Sequence, residues 1–531
     1  MSNGRRDHRE KWYRDGWYSA RTCVDAFHDG WARHGDVPLV FVAGGAERSV
    51  TVGEIGARAR AVAGGLRRLG VRPGDAVAVQ LTNRVECAVA YQAVLLCGAV
   101  LVPIVHIYGS TEVVFILAES RAATLIMPHT FRSTRYLDRV VSYRDIPTLR
   151  NVVVLDAEPD DDYIGWEQLA DSSQAYAGAE PGADDVCVLL YTSGTTSAPK
   201  GVQHSHNSIL AEQATLLGLL AGEPDSVELV SFPPGHVGGL SALLRPMISG
   251  TRTVFVDTWD PALAAELIQR FEVTTTVGTP FHLNGLLELP GAAAKLGTLR
   301  EFLTGAATVT DEIGRRASAA GINAYRCYGL TEHPTVTGAH RDDPTSVRLG
   351  TDGPPMPGSE VRVLGDDGAD QSVGVPGEVV TRGPDQFVGY HDPALDTDAF
   401  TPDGWLRTGD LGYLDGAGRL VITDRIKDVI IRAGETISSG QVEDVLLTHP
   451  SVVEAAAVAA PDPRYGEVVT AVVVLKAGAA LTLSELREHF ARAGLARQKA
   501  PERLVVVDAL PRTALGKVIK AELRKTLRSE Q

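Results

Sequence analysis

The sequence predicts an α/β protein: a large N-terminal domain of several subdomains, with layered parallel sheets and a small β subdomain, and then a compact α+β C-terminal domain. Three observations carry this. Helical and strand patterns alternate from Thr51 to Val105 and again from Ser208 to Val277, which builds parallel sheets between helical layers. Gly and Pro grow denser from Gly350 to Pro384 around short alternating strands such as Glu360–Leu364 and Glu378–Thr381, the pattern of a smaller β-rich unit. Beyond Arg425, the stretches 437–448, 453–459, 468–475 and 484–493 read as helix, strand, strand and helix, enough for a domain of about a hundred residues.

Each element has a local reason. Residues 55–69 show helical periodicity, Arg72-Pro73-Gly74-Asp75 makes a turn, 76–81 is a strand, 85–97 is a second helix and 99–105 another strand. The apolar run 88–105 is interrupted by Gln92, Gly98 and Pro103, so it reads as a buried helix passing into a strand and not as a membrane span. Residues 1–35 hold three of the six tryptophans, Trp12, Trp17 and Trp31, among many charges. Such a segment is expected to lie across the main body and bury its aromatics there. The domain division expected is 1–424 and 425–531, with the β-rich unit at about 350–424.

Composition narrows the function. With 44% hydrophobic and 22% charged residues the chain is that of a globular protein, and its formal net charge of −15 argues against general nucleic-acid binding. An anionic ligand would have to be held by local lysines and arginines against that field. The five cysteines, Cys23, Cys87, Cys97, Cys187 and Cys327, are odd in number and never form a C-x-x-C pair. They read as free buried thiols of a reducing, cytoplasmic compartment. The N-terminus has no signal-peptide core. His204, His206 and His333 are not spaced as a metal site and, without acidic or thiol companions in the sequence, read as structural.

The chemistry begins at Tyr191–Val202, YTSGTTSAPKGV, which follows the apolar run 186–190. Gly194 and Gly201 allow close backbone approach to an anion, the hydroxyls of Thr192, Ser193, Thr195 and Thr196 can donate to phosphate oxygens, and Lys200 adds charge. It is not a Walker loop, because Pro199 stands where the second glycine belongs and Gly201 where Ser or Thr belongs. Six further strings follow in order: PPGHVGG (233–239), CYGLTEH (327–333), GEVVTRGP (377–384), GWLRTGDLG (404–412), GRLVITDRIKDVIIRAGETIS (418–438) and PRTALGK (511–517).

Together these strings resemble the acyl-adenylate-forming superfamily, in its acyl-CoA synthetase branch, over nearly the whole chain. The resemblance implies ATP, Mg²⁺ and coenzyme A as reactants and cofactor. Thr192, Ser193, Gly194, Thr195, Thr196 and Lys200 would hold phosphate; Gly305, Ala306, Ala307, Cys327, Tyr328, Gly329 and Thr331 would frame the nucleotide, with Tyr328 a flat partner for adenine. Asp410 would take the ribose hydroxyls, Arg425 ribose or phosphate, and Glu332 with Thr196 the magnesium ion. Lys517 would be the catalytic cation between carboxylate and α-phosphate, acting with Thr196 and Glu332. His236, Val237, Gly238, Gly239 and Thr304 would wall the acyl pocket, their small members leaving width for a ring or a branched acid. Arg432, Gly434 and Glu435 would line a pantetheine tunnel, opened by rotation about a hinge at Lys427.

Three positions depart from the family's pattern. Ser197 replaces a glycine of the phosphate loop, Asp424 stands where many relatives carry glycine, a substitution that resembles other members including luciferases, and the proline expected after Ser438 is replaced by Ser439-Gly440. The strings TEHPTVTGAH and PPGHVGG resemble those of bacterial cyclohexanecarboxylate and medium-chain acyl-CoA ligases. The function expected is therefore an AMP-forming ligase joining an alicyclic, aromatic or medium-chain acid to CoA. The alternative is a stand-alone enzyme loading an aryl or acyl group onto a carrier protein's pantetheine. A binding module without activity is disfavoured by the presence of Thr196, Lys200, Glu332, Asp410, Arg425 and Lys517. No nucleic acid and no membrane span are expected, and homodimerisation is left open.

Overall fold

The alternation in the sequence becomes two eight-stranded sheets in the computed structural model, which describes residues 3–143, 145–170, 176, 180–192, 199–220, 225–305, 309, 311–432, 435–462, 464–493, 497–513 and 516–529. In the first sheet the central strands Glu301–Thr304, Thr275–Gly278, Val227–Val230, Arg252–Val256 and Pro38–Ala43 run parallel. The hairpin of Asn323–Leu330 and His333–Gly338 closes one side. In the second sheet Val186–Thr192, Val100–Pro103, Ala76–Val79, Thr124–Pro128 and Asn151–Leu155 are parallel, while Lys200–Ser205 returns antiparallel beside Val186–Thr192. Parallel strands covered on both faces need apolar side chains on both, and Ala76–Val79 and Thr124–Pro128 are buried throughout.

The helix Val85–Leu96 is buried at all but one of its positions, as its apolar run requires. Its polar Gln92 accepts from Trp31 Nε1 at 2.9 Å and donates to the Ala88 carbonyl at 3.2 Å, so the break in hydropathy is a satisfied core amide. Among the described residues no helix is long and apolar enough to cross a membrane. The N-terminal segment does lie across the body: Tyr18 is buried with its hydroxyl donating to the Pro384 carbonyl at 2.8 Å, and Lys11 pairs with Glu360 at 3.0 Å. Gly358, at φ +85°, packs so near the Trp17 ring that a β-carbon would stand 2.6 Å from it.

A four-stranded antiparallel sheet follows, Glu360–Leu364, Gly377–Arg382, Leu406–Leu414 and Leu420–Arg425. The last sheet joins Val452–Asp462 to Gly466–Leu475 along their length, with the antiparallel pair Ile430–Arg432 and Glu435–Ile437 and the parallel strand Arg503–Val506 on the flank. One boundary differs from the sequence expectation. The helix expected from 437 begins at Ser439, because Ser438 takes the N-cap position, its Oγ accepting from Gln441 N at 3.2 Å, while Ile437 ends a strand and is buried.

Two histidines read as lacking companions acquire them through the fold. The ligand atoms of His206, Cys23 and Cys187 lie within 4.8 Å of one another. That makes three donors where a structural zinc takes four, and His206 Nδ1 already accepts from Cys23 N at 3.2 Å. His333 sits 2.9 Å from Asp385, both fully enclosed. The companions lie tens to hundreds of residues away along the chain, beyond the reach of any spacing rule.

The helix Val237–Ser249 is anchored to the first sheet by Arg245 and Glu228, 3% and 2% exposed, with Nη1 to Oε1 at 2.6 Å. Breaking a buried pair from one side strands a charge at a cost of about 3–5 kcal/mol. Glu228→Leu is expected to lower the first thermal unfolding transition markedly, and the double variant with Arg245→Met to recover most of the loss; calorimetry of both variants checks this.

Candidate active site

The carboxyl ends of the parallel strands form the site, the position that open α/β sheets use for ligands. From the second sheet, Val186–Thr192 pairs antiparallel with Lys200–Ser205 in the register Thr192 to Lys200. Ser193, Gly194, Thr195, Thr196 and Ser197 lie outside the described residues. Lys200 is described: its ammonium stands 5.1 Å from the ring centre of Tyr390, whose hydroxyl donates to Glu332 Oε1 at 2.7 Å. Burial, followed by the Glu332 carboxylate, pushes the Tyr390 phenol up, so it stays a donor. Tyr390 thus joins the lysine of one motif to the carboxylate of another.

From the first sheet come Gly305 and the hairpin that carries Tyr328 to Glu332. Gly305 follows the strand Glu301–Thr304, and a β-carbon there would meet Cys327 Sγ at 3.4 Å. Ala306 and Ala307 lie outside the described residues. Burial, with the Glu212 carboxyl as a lesser cause, raises the Cys327 thiol to about 12, so Cys327 is no nucleophile. Gly329 is obligatory, since a β-carbon would stand 1.8 Å from the Pro334 carbonyl oxygen across the turn. The carbonyl of Thr331 accepts from His204 Nε2 at 2.8 Å, and that of Glu332 from Phe387 N at 2.8 Å. Behind them Thr335 N donates to Asp385 at 3.0 Å and Thr335 Oγ1 to Glu212 at 3.1 Å. Burial, then Asp385, holds the Glu212 carboxyl well above the usual range. Asp385 stays low, because His333 and the Thr335 N–H outweigh its burial. The turn bearing Glu332 is therefore set on a buried polar floor, in which Glu212 Oε2 has no hydrogen-bond partner among the described residues.

Asp410, 4% exposed, is the junction of the site. It accepts from the Tyr328 hydroxyl at 2.7 Å and pairs with Arg425 Nε at 3.1 Å, Arg425 being its cross-strand partner. Burial, then this carboxylate, drives the Tyr328 phenol well above its usual range. Lys517 reaches the same place from the C-terminal region. Its turn, closed by Gly516 N to Thr513 O at 2.9 Å, lies against Phe281 of the helix Pro280–Leu287, and a β-carbon on Gly516 would stand 3.0 Å from that ring. By surface area Lys517 is exposed, while its ammonium has charged groups of several segments near it, Arg425, Lys427, Asp410 and Asp428 among them. Desolvation there, followed by the like charge of Arg425 and more weakly Lys427, lowers the ammonium to about 8, although Asp410 and Asp428 oppose this.

The acyl-pocket residues divide. His236 occupies the N-cap position of Val237–Ser249 at φ −101°, and burial, then His106, lowers it to about 4, so it is neutral. Its Nε2 is buried without a hydrogen-bond partner among the described residues. Gly238 has only Phe232 near a notional β-carbon, at 3.8 Å, and does leave space. Gly239 differs from the sequence reading: its missing side chain is taken up by the Pro233 carbonyl, 2.0 Å from a notional β-carbon, so it serves backbone packing rather than pocket width. Thr304 is fully buried with its hydroxyl donating to the Tyr325 carbonyl at 3.2 Å.

Of the tunnel residues, Arg432 pairs with Glu502 and lies 4.0 Å over the Tyr465 ring; Gly434 and the Glu435 side chain lie outside what is described. Lys427 sits in the single turn Ile426–Asp428 between two sheets. Sequence reasoning missed Tyr390, Phe281 and the Glu212–Asp385 floor. Only Tyr390 carried a signal, the Gly389-Tyr390 pair six residues after GEVVTRGP.

This arrangement defines the class: an α/β enzyme in which motif residues from two sheets and from the C-terminal region lie near one another. The comparisons with known proteins agree. The pattern described as AMP-binding enzyme matches residues 27–391, and that of the AMP-binding enzyme C-terminal domain matches 441–517. The chain belongs to the AMP-binding enzyme family. It is 36% identical over 465 residues to the medium-chain fatty-acid–CoA ligase of Escherichia coli, covering 86% of this chain and 82% of that one. It is 33% identical to the salicyl-AMP ligase/salicyl-S-ArCP synthetase of Mycobacterium tuberculosis, covering 96% and 92%. Among solved structures it is similar to ATP-bound MatB from Rhodopseudomonas palustris, with a TM-score of 0.86 at 28% identity, covering 96% of this chain and all of the other.

The lowered ammonium has a kinetic consequence. Lys517 carries its charge below about pH 8 and loses it above. The kcat/KM for adenylate formation, which reports the free enzyme, is expected to fall as pH rises through that value, approaching about tenfold per unit. Lys517→Arg, always charged, should flatten that limb; single-turnover adenylation from pH 6.5 to 10 measures it.

Proposed function

We propose that the protein is an ATP-dependent, AMP-forming carboxylic acid–CoA ligase acting on a compact alicyclic, aromatic or medium-chain acid. The observation that supports this most is the meeting of separate motifs at Asp410, which accepts from Tyr328 at 2.7 Å and pairs with Arg425 at 3.1 Å, with the Gly516–Lys517 turn seated on Phe281. A carboxylate cannot acylate a thiol directly, because oxide is too poor a leaving group. In the first step a carboxylate oxygen attacks the α-phosphorus of ATP and pyrophosphate leaves. In the second, a thiol sulfur attacks the acyl carbonyl and AMP leaves. Two anions approach in the first step, so fixed cations lower its barrier. Lys517 stands between them, Lys200 and Arg425 hold phosphate and ribose, Asp410 accepts ribose hydroxyls, and Tyr328 faces the adenine.

A magnesium ion fits the donors present. Glu332 is a single half-buried carboxylate beside the lysine of the phosphate loop, and Mg²⁺ takes one or two carboxylates plus substrate phosphates. Glu332, with Thr196, would hold it, and when bound it supplies charge neutralisation at the phosphates. Tyr390 orients the Glu332 carboxylate for that task.

The thiol must reach a carbonyl at which Lys517 already stands, so the C-terminal domain, 425–531, turns about Lys427 between the steps. The pocket favours width near the carboxylate through Gly238 and Gly305. A carrier-protein pantetheine is the second reading for the acceptor, favoured by the similarity over nearly the whole chain to a salicyl-S-ArCP synthetase.

Lys517→Ala is expected to lose about 10²–10³-fold in adenylation and to convert a presynthesised acyl-adenylate with CoA at near wild-type rate. Comparable loss in both half-reactions would assign Lys517 to stability instead. In a panel scored by CoA consumption, cyclohexanecarboxylate and benzoate should exceed palmitate; faster turnover of palmitate would remove the compact-acid reading.

A further inference from the structure

Asp424 and Ser439, two positions where the chain departs from its family's pattern, bond each other. Asp424 ends the strand Leu420–Arg425, and Ser439 opens the helix Ser439–Leu447. One carboxylate oxygen of Asp424 accepts from Ser439 N and, at 3.4 Å, from Gly440 N; the Ser439 hydroxyl donates to both oxygens at 3.0 Å. Beside it Ser438 Oγ donates to the Thr423 carbonyl at 3.1 Å. The Ser439 hydroxyl also accepts from Lys520 Nζ at 2.6 Å, and Lys520 pairs with Glu443 at 2.7 Å. Ser439 is fully buried, and a β-carbon on Gly440 would stand 3.0 Å from the Thr423 oxygen, so the helix end is seated directly on the strand.

The expected glycine at 424 and proline at 439 could make none of these side-chain bonds. Glycine offers no acceptor, and proline has neither an N–H nor a hydroxyl. In this chain a carboxylate faces the positive end of a helix and takes several of its donors, an arrangement that is strong because the acceptor is charged. Residues 423–424 precede Lys427 and residues 438–440 follow it, so the contact spans the turn Ile426–Asp428.

We infer that Asp424 is a positioning residue whose bonds to Ser439 latch the C-terminal domain in the pose that holds Lys517 beside Asp410, and that they must break before the thiol-transfer pose forms. The inference rests on the two-pose reading proposed above. The latch favours adenylation at the expense of thioester formation, and its strength sets the ratio of the two poses.

Ser439→Pro is a clean test, because proline is well tolerated at the first position of a helix and Ser438 keeps the cap. Asp424→Gly removes the other half. Spin labels at Asp366→Cys and Glu488→Cys, both exposed, report the inter-domain distance. In the parent, acyl-adenylate plus a non-reactive CoA analogue should populate a second distance. In either variant that distance should gain roughly tenfold in relative population, the scale of a lost charge-assisted bond. Adenylation should fall several-fold while thioester formation from presynthesised adenylate holds or rises. Two distances in the parent with an unchanged ratio in both variants would overturn the latch alone. One distance under all conditions would overturn the two-pose reading and the latch with it. Equal loss in both half-reactions with a lowered Tm would make the contact a stabilising one and overturn the positioning role.

Discussion

A buried carboxylate must be compensated, and in this protein the compensation of Asp410 ties the parts together. Its partners are a phenol from the first sheet's hairpin, a guanidinium from the neighbouring strand and, through space, an ammonium that arrives 107 residues later. Removing either hydrogen-bonded partner would leave a charge in a low-dielectric setting, which is costly enough to fix Tyr328 and Arg425 against Asp410. Tyr328 and Arg425 are therefore where they are because Asp410 cannot be left alone, whereas Lys517 is exposed and feels Asp410 only through space.

The same economy explains how an acidic protein prepares a site for an anion. The net charge of −15 gives no long-range help, so cations are concentrated: desolvation, and after it the like charge of Arg425, lowers both Lys427 and Lys517. Neighbouring like charges are a poor ground state for the empty enzyme, and under the function proposed above a phosphate would relieve that repulsion. Tyr390 serves a cation and a carboxylate at once, its ring facing Lys200 and its hydroxyl donating to Glu332.

Much of the architecture was legible locally. The helix over 55–69 and the turn at Arg72–Asp75 follow from periodicity and from Gly74 at φ +83°. The helix end at Ser439 was not legible, because Ile437 continues the apolar period and only the cap geometry and the pairing of 430–432 with 435–437 make it a strand. Gly239 misled for a related reason: a missing side chain reads the same whether it makes room for a ligand or for a backbone carbonyl.

By itself the sequence determined the layered α/β class, the order of the motifs and the residue types available for phosphate, ribose and carboxylate chemistry, because periodicity and short spacings are local properties of the chain. The tertiary structure decided which of those groups meet: Tyr390 with Lys200 and Glu332, Asp385 with His333, and Asp424 with Ser439. The last pair is the plainest case. Two departures 15 residues apart look independent along the chain, and only the folding of a helix end onto a strand end makes them one contact, since hydrogen bonds depend on distance in space and not on separation in sequence.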